Sequence, residues 1–346
     1  MGYRTIVVGT DGSITAVAAQ RTAARLARRL RAELVIVSAY DPPRISRPMG
    51  EGLIQRAREA ARREKVEATT ELGRGEPADL ILEVANRRQA DLVVVGNKGM
   101  GQATRIRLGS VPDRVAHAAE CDILIVDTTR DPKPDGGTYR RIVAATDGSA
   151  TASEAARKAF ELAMLVRAGV TLVYVGDPIV GAITLEETTS TRPEGVKVDP
   201  ILAEGDPAEK IVQAAQAVEA DLIVVGNKGM AGARRVFLGS VPNRVAHDAT
   251  TDVLIAKTVD RSLDDLVPGH GGLVDVRGQK LAVYVDEDGH YHALSPKCTH
   301  MGCNVDWNDA EKTWDCPCHG SRYDVEGEVI RGPAVKSLAR QEIAGS

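Results

Sequence analysis

The chain repeats itself. Residues 5–13, TIVVGTDGS, return as RIVAATDGS at 141–149. Residues 91–100, DLVVVGNKGM, return as DLIVVGNKGM at 221–230, and 108–117, LGSVPDRVAH, return as LGSVPNRVAH at 238–247. Three matched blocks in one order mean two copies of one domain, so any fold proposed for the first must also suit the second. Within copy one, short β-branched runs near 5–9, 34–39, 66–72, 91–95 and 123–126 alternate with stretches of helical period at 16–31, 53–65, 78–88 and 111–119. Strands alternating with helices imply a doubly wound α/β domain with a parallel five-stranded sheet covered on both faces. In copy two the segment 181–194 is a poor helix, so its second helix is expected to be short or irregular.

The expected domains are residues 1–128, 139–258 and 265–342. A polar stretch rich in Pro and Gly, 128–138, links the copies. Beyond residue 255 the pattern changes to short alternating strands such as 281–285 and 291–294, separated by the turn pairs Asp288-Gly289, Asn308-Asp309 and Glu326-Gly327. The third domain therefore reads as small and all-β.

In both copies a buried strand ends in Gly-Asn-Lys-Gly, and Gly-Ser follows nine residues later. Copy one supplies Gly96, Gly99, Gly109 and Ser110; copy two supplies Gly226, Gly229, Gly239 and Ser240. Glycines let backbone amides approach phosphate oxygens. Ser110 is expected to cap the next helix, with Pro112 in the first turn and Asp113 completing a capping box, which would offer free N–H groups to an anion. Asp11 and Asp147 follow the first strands, beside the point where strand order reverses and open α/β sheets bind ligands. These features together resemble the tandem form of the universal stress protein family, whose ATP-binding branch carries the G-x2-G-x9-G-[ST] pattern. That resemblance covers residues 3–258. It implies ATP at two sites, with the glycines and Ser110 or Ser240 at the phosphates, Asp11 or Asp147 on the ribose side, and Ala39 or Val175 near adenine. It also implies sheets paired through their last strands, within one chain or in a homodimer. No Gly-Lys-[Ser/Thr] run is present and no base for water can be assigned, so no catalytic residue is named. His117 and His247 read as packing or solvent-facing, and Cys121 as a small hydrophobe.

Of five cysteines, four crowd into residues 298–318. Cys298-x-His300 and Cys316-x2-His319 supply two thiolates and two imidazoles, a donor set that by itself leaves zinc and iron–sulfur both open. The runs Cys-Thr-His-Met-Gly-Cys and Cys-Pro-Cys-His-Gly-Ser-Arg-Tyr resemble the Rieske family, extending back to Val267 and forward to Ala334. The resemblance implies a [2Fe–2S] cluster on Cys298, His300, Cys316 and His319, and a disulfide between Cys303 and Cys318 as in the cytochrome bc and b6f branch. It also implies hydroxyl donors from Ser321 and Tyr323, which raise the potential. His270, His290 and His292 lack a metal-type partner set; the last two are expected on one face of a strand.

A net charge of −4 argues against a nucleic-acid partner. The apolar runs are too short to span a bilayer, and the first residues carry no secretory pattern, so a soluble cytoplasmic protein is expected. The function expected is a nucleotide-linked electron-transfer or redox-sensing module in stress response, with an unidentified redox protein as partner. The alternative is a Rieske component of an oxygenase or reductase system, with the stress-protein copies as a docking scaffold.

Overall fold

The computed structural model describes residues 3–42, 45–97, 108–128, 139–227, 238–257, 263, 266–276, 279–309, 311–316 and 319–343. The chain forms two compact units, Met1–Thr258 and Val259–Ser346.

In the first unit, copy one runs β1 (Thr5–Gly9), α1 (Ile14–Leu30), β2 (Glu33–Tyr40), α2 (Arg47–Arg63), β3 (Ala68–Arg74), α3 (Pro77–Arg87), β4 (Leu92–Gly96), α4 (Ser110–Ala118) and β5 (Asp122–Val126). Copy two runs β6 (Arg141–Ala145), α5 (Ala150–Val166), β7 (Gly169–Val175), α6 (Pro178–Ser190), β8 (Val198–Ala203), α7 (Pro207–Ala217), β9 (Leu222–Gly226), α8 (Ser240–Asp248) and β10 (Asp252–Ala256). Strand order is β3-β2-β1-β4-β5-β10-β9-β6-β7-β8, one ten-stranded sheet. Each copy is parallel internally, and strand order reverses between β1 and β4 and between β6 and β9. The copies meet where β5 pairs antiparallel with β10, Leu124 opposite Leu254. The last-strand pairing that the resemblance implies occurs within the chain.

Alternation along each strand divides the core. Ile6, Val8, Leu34 and Ile36 face Ala19, Ala23 and Ala27 of α1; small side chains there let the helix lie close to the sheet. Val7, Val35 and Val37 face Ile81 and Val84 of α3. Both faces are covered, so the central strands read as continuous apolar runs rather than alternating ones. Ser13 and Ser149 start α1 and α5 by accepting from Ala16 N and Ala152 N.

One helix differs from expectation and one meets it. α2 begins at Arg47, before the expected 53, because Ser46 caps it by accepting from Met49 N and Pro48 fits its first turn. α6 is short, 13 residues, yet regular: Asp177 accepts from Ile179 N and Val180 N. Gly181 is not a breaker there, since a Cβ would collide with Leu202 and Tyr174 of the strands beneath.

The seam carries a buried charge. Asp122, 3 % exposed, accepts from Tyr3 Oη at 2.5 Å, Lys158 Nζ at 2.7 Å and Lys257 N at 2.8 Å. Burial, then the Asp122 carboxylate beside it, hold the Tyr3 phenol well above its ordinary pKa. Across the seam Asp252 accepts from Tyr139 Oη and Asp127 N, both at 2.9 Å. The position of Lys158 in α5 corresponds to Thr22 in α1.

The second unit holds β11 (Gly271–Val276), β12 (Gln279–Val285) and β13 (Tyr291–Leu294) in one sheet, and β14 (Asp306–Asn308), β15 (Thr313–Asp315), β16 (Arg322–Tyr323) and β17 (Val329–Arg331) in another. Trp314 and Tyr323 are fully buried between them, and Trp307 meets Trp314 edge-on at 4.9 Å. Gly271 lies against the Trp307 ring, where a Cβ would come within 2.6 Å.

Replacing Asp122 by Ala takes from the buried Lys158 ammonium its nearer carboxylate and leaves it Glu154 at 3.4 Å, so a loss of about 2 kcal/mol is expected. Urea unfolding should show Asp122→Ala costing more than Asp252→Ala; equal losses would mean that Lys158 carries no share of the seam.

Candidate functional site

At the carboxyl ends of β1 and β6 the same turn is built twice. Ser13 N donates to Asp11 Oδ1 at 2.9 Å and Gly12 N to Thr10 Oγ1 at 3.3 Å; Ser149 N donates to Asp147 Oδ1 at 3.0 Å and Gly148 N to Thr146 Oγ1 at 3.3 Å. Gly12 and Gly148 have φ of 77° and 81°, a conformation that selects glycine. Thr10 N and Thr146 N donate to Val37 O and Val173 O, tying each turn to the end of the second strand. Ala39 and Val175 stand half-buried at those strand ends.

Gly96 and Gly226 end β4 and β9. Gly226 has a packing reason of its own, since a Cβ would lie 2.8 Å from the Thr151 carbonyl. Gly99, Gly229, Lys98 and Lys228 lie outside the described residues. Gly109 and Gly239 donate their N–H to Asn97 O and Asn227 O, each at 2.7 Å, which sets the start of α4 and α8 beside the strand ends.

Ser110 and Ser240 do not cap the helices they begin. The N-caps are Gly109 and Gly239, in extended conformation and with no side-chain cap; Ser110 and Ser240 are the first helical residues. Asp113 completes no capping box. Its N–H bonds Gly109 O, and its carboxylate turns across the seam to His247 Nε2 at 3.3 Å. Uncapped first-turn amides are what an anion at a helix N-terminus would use.

Around the copies the walls differ. Leu53 of α2 lies against Gly12, whereas Thr184 of α6 lies against Gly148, and Thr188 Oγ1 is 3.4 Å from Thr146 Oγ1. Ser38 Oγ is buried without a partner at the end of β2; Tyr174 holds the matching place in β7.

In the second unit two loops close in the same way. Cys298 N donates to Cys303 O at 2.8 Å, and Cys316 N to Ser321 O at 2.7 Å. Gly302 N and Gly320 N return to Cys298 O and Cys316 O, with φ of 77° and 72°. This brings the four expected residues together with a division of burial. Cys298 and Cys316 are 2 % and 3 % exposed, while His300 and His319 are exposed with ring centroids 5.0 Å apart. Tyr323 Oη, fully buried, donates to Cys298 Sγ at 3.1 Å. Burial pushes the Cys298 thiol up, but hydrogen bonds from Tyr323, the His300 N–H, Cys316 and Ser321 outweigh it, and its pKa is lowered. A thiolate-favouring Cys298 and a buried Cys316 beside two open imidazoles suit an iron–sulfur centre with mixed ligands.

The forward segment earns its place structurally: Ala334 N donates to Ser321 Oγ at 3.0 Å, and Thr299 Oγ1 to Lys336 O at 2.6 Å. Cys303 is disulfide-bonded; Cys318 lies outside the described residues.

The remaining histidines have partners that no local pattern revealed. His117 Nδ1 donates to the Asp113 carbonyl at 2.9 Å. His270 Nδ1 donates to Pro268 O at 3.1 Å. His290 precedes β13 rather than lying on it, and it shares Asp286 Oδ2 with His292, at 3.3 and 3.0 Å. Hydrogen bonding from His292, then from the His290 N–H, holds the Asp286 carboxyl at about 2. No helix among the described residues is long and apolar enough to cross a membrane.

Comparison with known proteins follows these divisions. The universal stress protein family model matches residues 2–127, 138–186 and 180–257, and the Rieske [2Fe-2S] domain model matches 257–342. A universal stress protein of Mycolicibacterium smegmatis is 30% identical over 290 residues, 73% of this chain and 96% of its own length. The Rieske iron–sulfur protein YhfW of Bacillus subtilis is 46% identical over 84 residues, 24% of this chain. A cytochrome b6-f complex iron-sulfur subunit of Cyanophora paradoxa is 44% identical over 84 residues, 23% of this chain. The match spans 16% and 35% of the lengths of those two relatives. In fold, a universal stress protein from Archaeoglobus fulgidus superposes with a TM-score of 0.61 at 17% identity, covering 74% of this chain and 99% of its own. The chain belongs to the universal stress protein family, in tandem form, and carries a Rieske [2Fe–2S] domain after the second copy.

Proposed function

We propose that this is an ATP-binding stress-response protein whose Rieske domain acts as an electron-transfer or redox-sensing module linked to nucleotide occupancy. Its site residues are assigned as follows. Cys298 and Cys316 hold the inner side of the [2Fe–2S] cluster, His300 and His319 the outer side, and Cys303 pairs with Cys318. Asp11, Ala39, Gly96, Gly99, Gly109 and Ser110 form one nucleotide site; Asp147, Val175, Gly226, Gly229, Gly239 and Ser240 form the other. The observation that carries the redox reading is the buried Tyr323 hydroxyl donating to Cys298 Sγ at 3.1 Å, with the imidazoles exposed. A bound cluster supplies one-electron chemistry, and hydroxyl donation to a ligand sulfur favours the more negative, reduced form. The exposed imidazole side is where a redox protein would approach. Support for nucleotide comes from the twice-built Asp-Gly-Ser turn beside an uncapped helix start.

Tyr323→Phe removes one hydrogen bond of about 1 kcal/mol, so the cluster potential should fall by roughly 40 mV. Potentiometric titration followed by EPR measures this; an unchanged potential would remove Tyr323 from the redox role. Linkage to nucleotide is tested by the same titration with and without saturating ATP. Any coupling is reciprocal, and a shift of about 59 mV corresponds to a tenfold change in ATP affinity between redox states. Equal potentials, with ATP binding established by calorimetry, would dismiss equilibrium coupling and leave the two modules independent.

A further inference from the structure

The second unit sorts its charge by position. The three segments that carry or adjoin the expected cluster ligands, 295–303, 316–323 and 329–338, contain no Asp or Glu, yet they hold Lys297, Arg322, Arg331 and Lys336. Carboxylates gather in turns instead: Asp286, Glu287 and Asp288 in one, Asp324, Glu326 and Glu328 in another. The second of these turns joins β16 to β17, whose register sets Tyr323 opposite Val329 and Arg322 opposite Arg331. The acidic turn is thus at one end of this hairpin, and Ser321 of the second cluster loop is at the other.

Residues 334–336 bridge the two cluster loops, since Ala334 N donates to Ser321 Oγ at 3.0 Å and Thr299 Oγ1 donates to Lys336 O at 2.6 Å. Between these anchors Val335 is 88 % exposed, and Met301, next to His300, is 47 % exposed. Two apolar side chains therefore stand open beside the exposed imidazoles. Arg322 is paired with Asp315 and Glu311. Arg331 and Lys336 are exposed and, among the described residues, form no ion pair. Past Lys336 the chain turns back to the acidic end, where Ser337 Oγ donates to Glu328 at 2.7 Å.

We propose that the surface around His300 and His319 docks a redox protein that presents an acidic ring around an apolar centre. This deepens the electron-transfer reading and rests on it. A partner that approaches the imidazoles meets Met301 and Val335, and burying them favours contact without fixing its direction. Charge supplies the direction: a basic rim without carboxylates draws in an acidic ring and repels a basic one. The whole chain carries a net charge of −4, so attraction of an acidic protein would have to come from a local patch.

Stopped-flow oxidation of the reduced full chain reads this surface with two protein probes, an acidic plastocyanin and a lysine-rimmed cytochrome c. Each probe is compared with itself across ionic strength, so differences in driving force cancel. The rate constant for the acidic probe should fall about tenfold between about 10 mM and about 300 mM salt, and that for the basic probe should rise. Lys336→Glu should remove most of this salt dependence for the acidic probe. Arg331→Gln should weaken it too, and serves alone if Lys336→Glu disturbs the Thr299 contact. At high salt, where apolar contact dominates, Val335→Ser should slow the acidic probe about threefold. Salt-independent rates, a basic probe favoured at low salt, or rates indifferent to all three substitutions would overturn the proposal. Oxidation by ferricyanide but by neither protein would overturn the docking surface alone. If ferricyanide also fails, the electron-transfer reading falls and takes this surface with it.

Discussion

The antiparallel pairing of β5 with β10 turns two five-stranded sheets into one, and much else follows from it. Each copy alone would leave an apolar edge, Ile123-Leu124-Ile125 or Val253-Leu254-Ile255, open to any passing strand. Pairing them inside the chain removes both edges and buries these side chains almost completely. The price is a carboxylate at the seam, Asp122, which is tolerable because Tyr3, Lys158 and the Lys257 amide all donate to it. Because the join is antiparallel, the carboxyl ends of the two parallel halves point in opposite directions, and the two candidate nucleotide sites lie on opposite edges of the sheet.

A pseudo-twofold seam would treat both copies alike, yet the side chains around it do not. Lys158 faces the seam where copy one has Thr22, and Asp113 receives His247 where copy two has Asn243. The backbone of each crest is nevertheless repeated to within a few tenths of an ångström in its hydrogen bonds. Divergence in such a tandem arrangement is thus confined to charge and wall chemistry, which can change a site's selectivity without disturbing the turn that builds it.

The Rieske unit works by a different logic. A small β-domain has little core, and here much of it is shared with the centre: Cys298, Cys316, Trp314 and Tyr323 belong to one buried cluster. Two glycines in left-handed conformation turn the loops back so that Cys298 and Cys316 are each bonded through both N–H and C=O. The loops are therefore fixed by backbone bonds, which leave the His300 and His319 imidazoles at the surface.

Much of this was legible in the sequence because it depends on local rules. The repeat, the alternation of strand and helix, the Thr-Asp-Gly-Ser turns and the Cys-x-His and Cys-x2-His runs are all written in neighbouring residues. What was misread turned on contacts between distant ones. Ser110 follows a glycine that Asn97 O, twelve positions back, holds at the N-cap, so the serine begins the helix instead of capping it. His290 and His292 gained a partner only when the hairpin returned Asp286 to them. The sequence by itself determined the fold of each copy and the family, since periodicity and motif spacing act over a few residues. Tertiary structure alone decided that the sheets join within one chain rather than between two, that the Asp113 carboxylate turns to His247, and that the Asn97 amide bonds Asp127. Each of these is a contact between residues 30 or more positions apart, which side-chain chemistry permits but only the folded chain brings about.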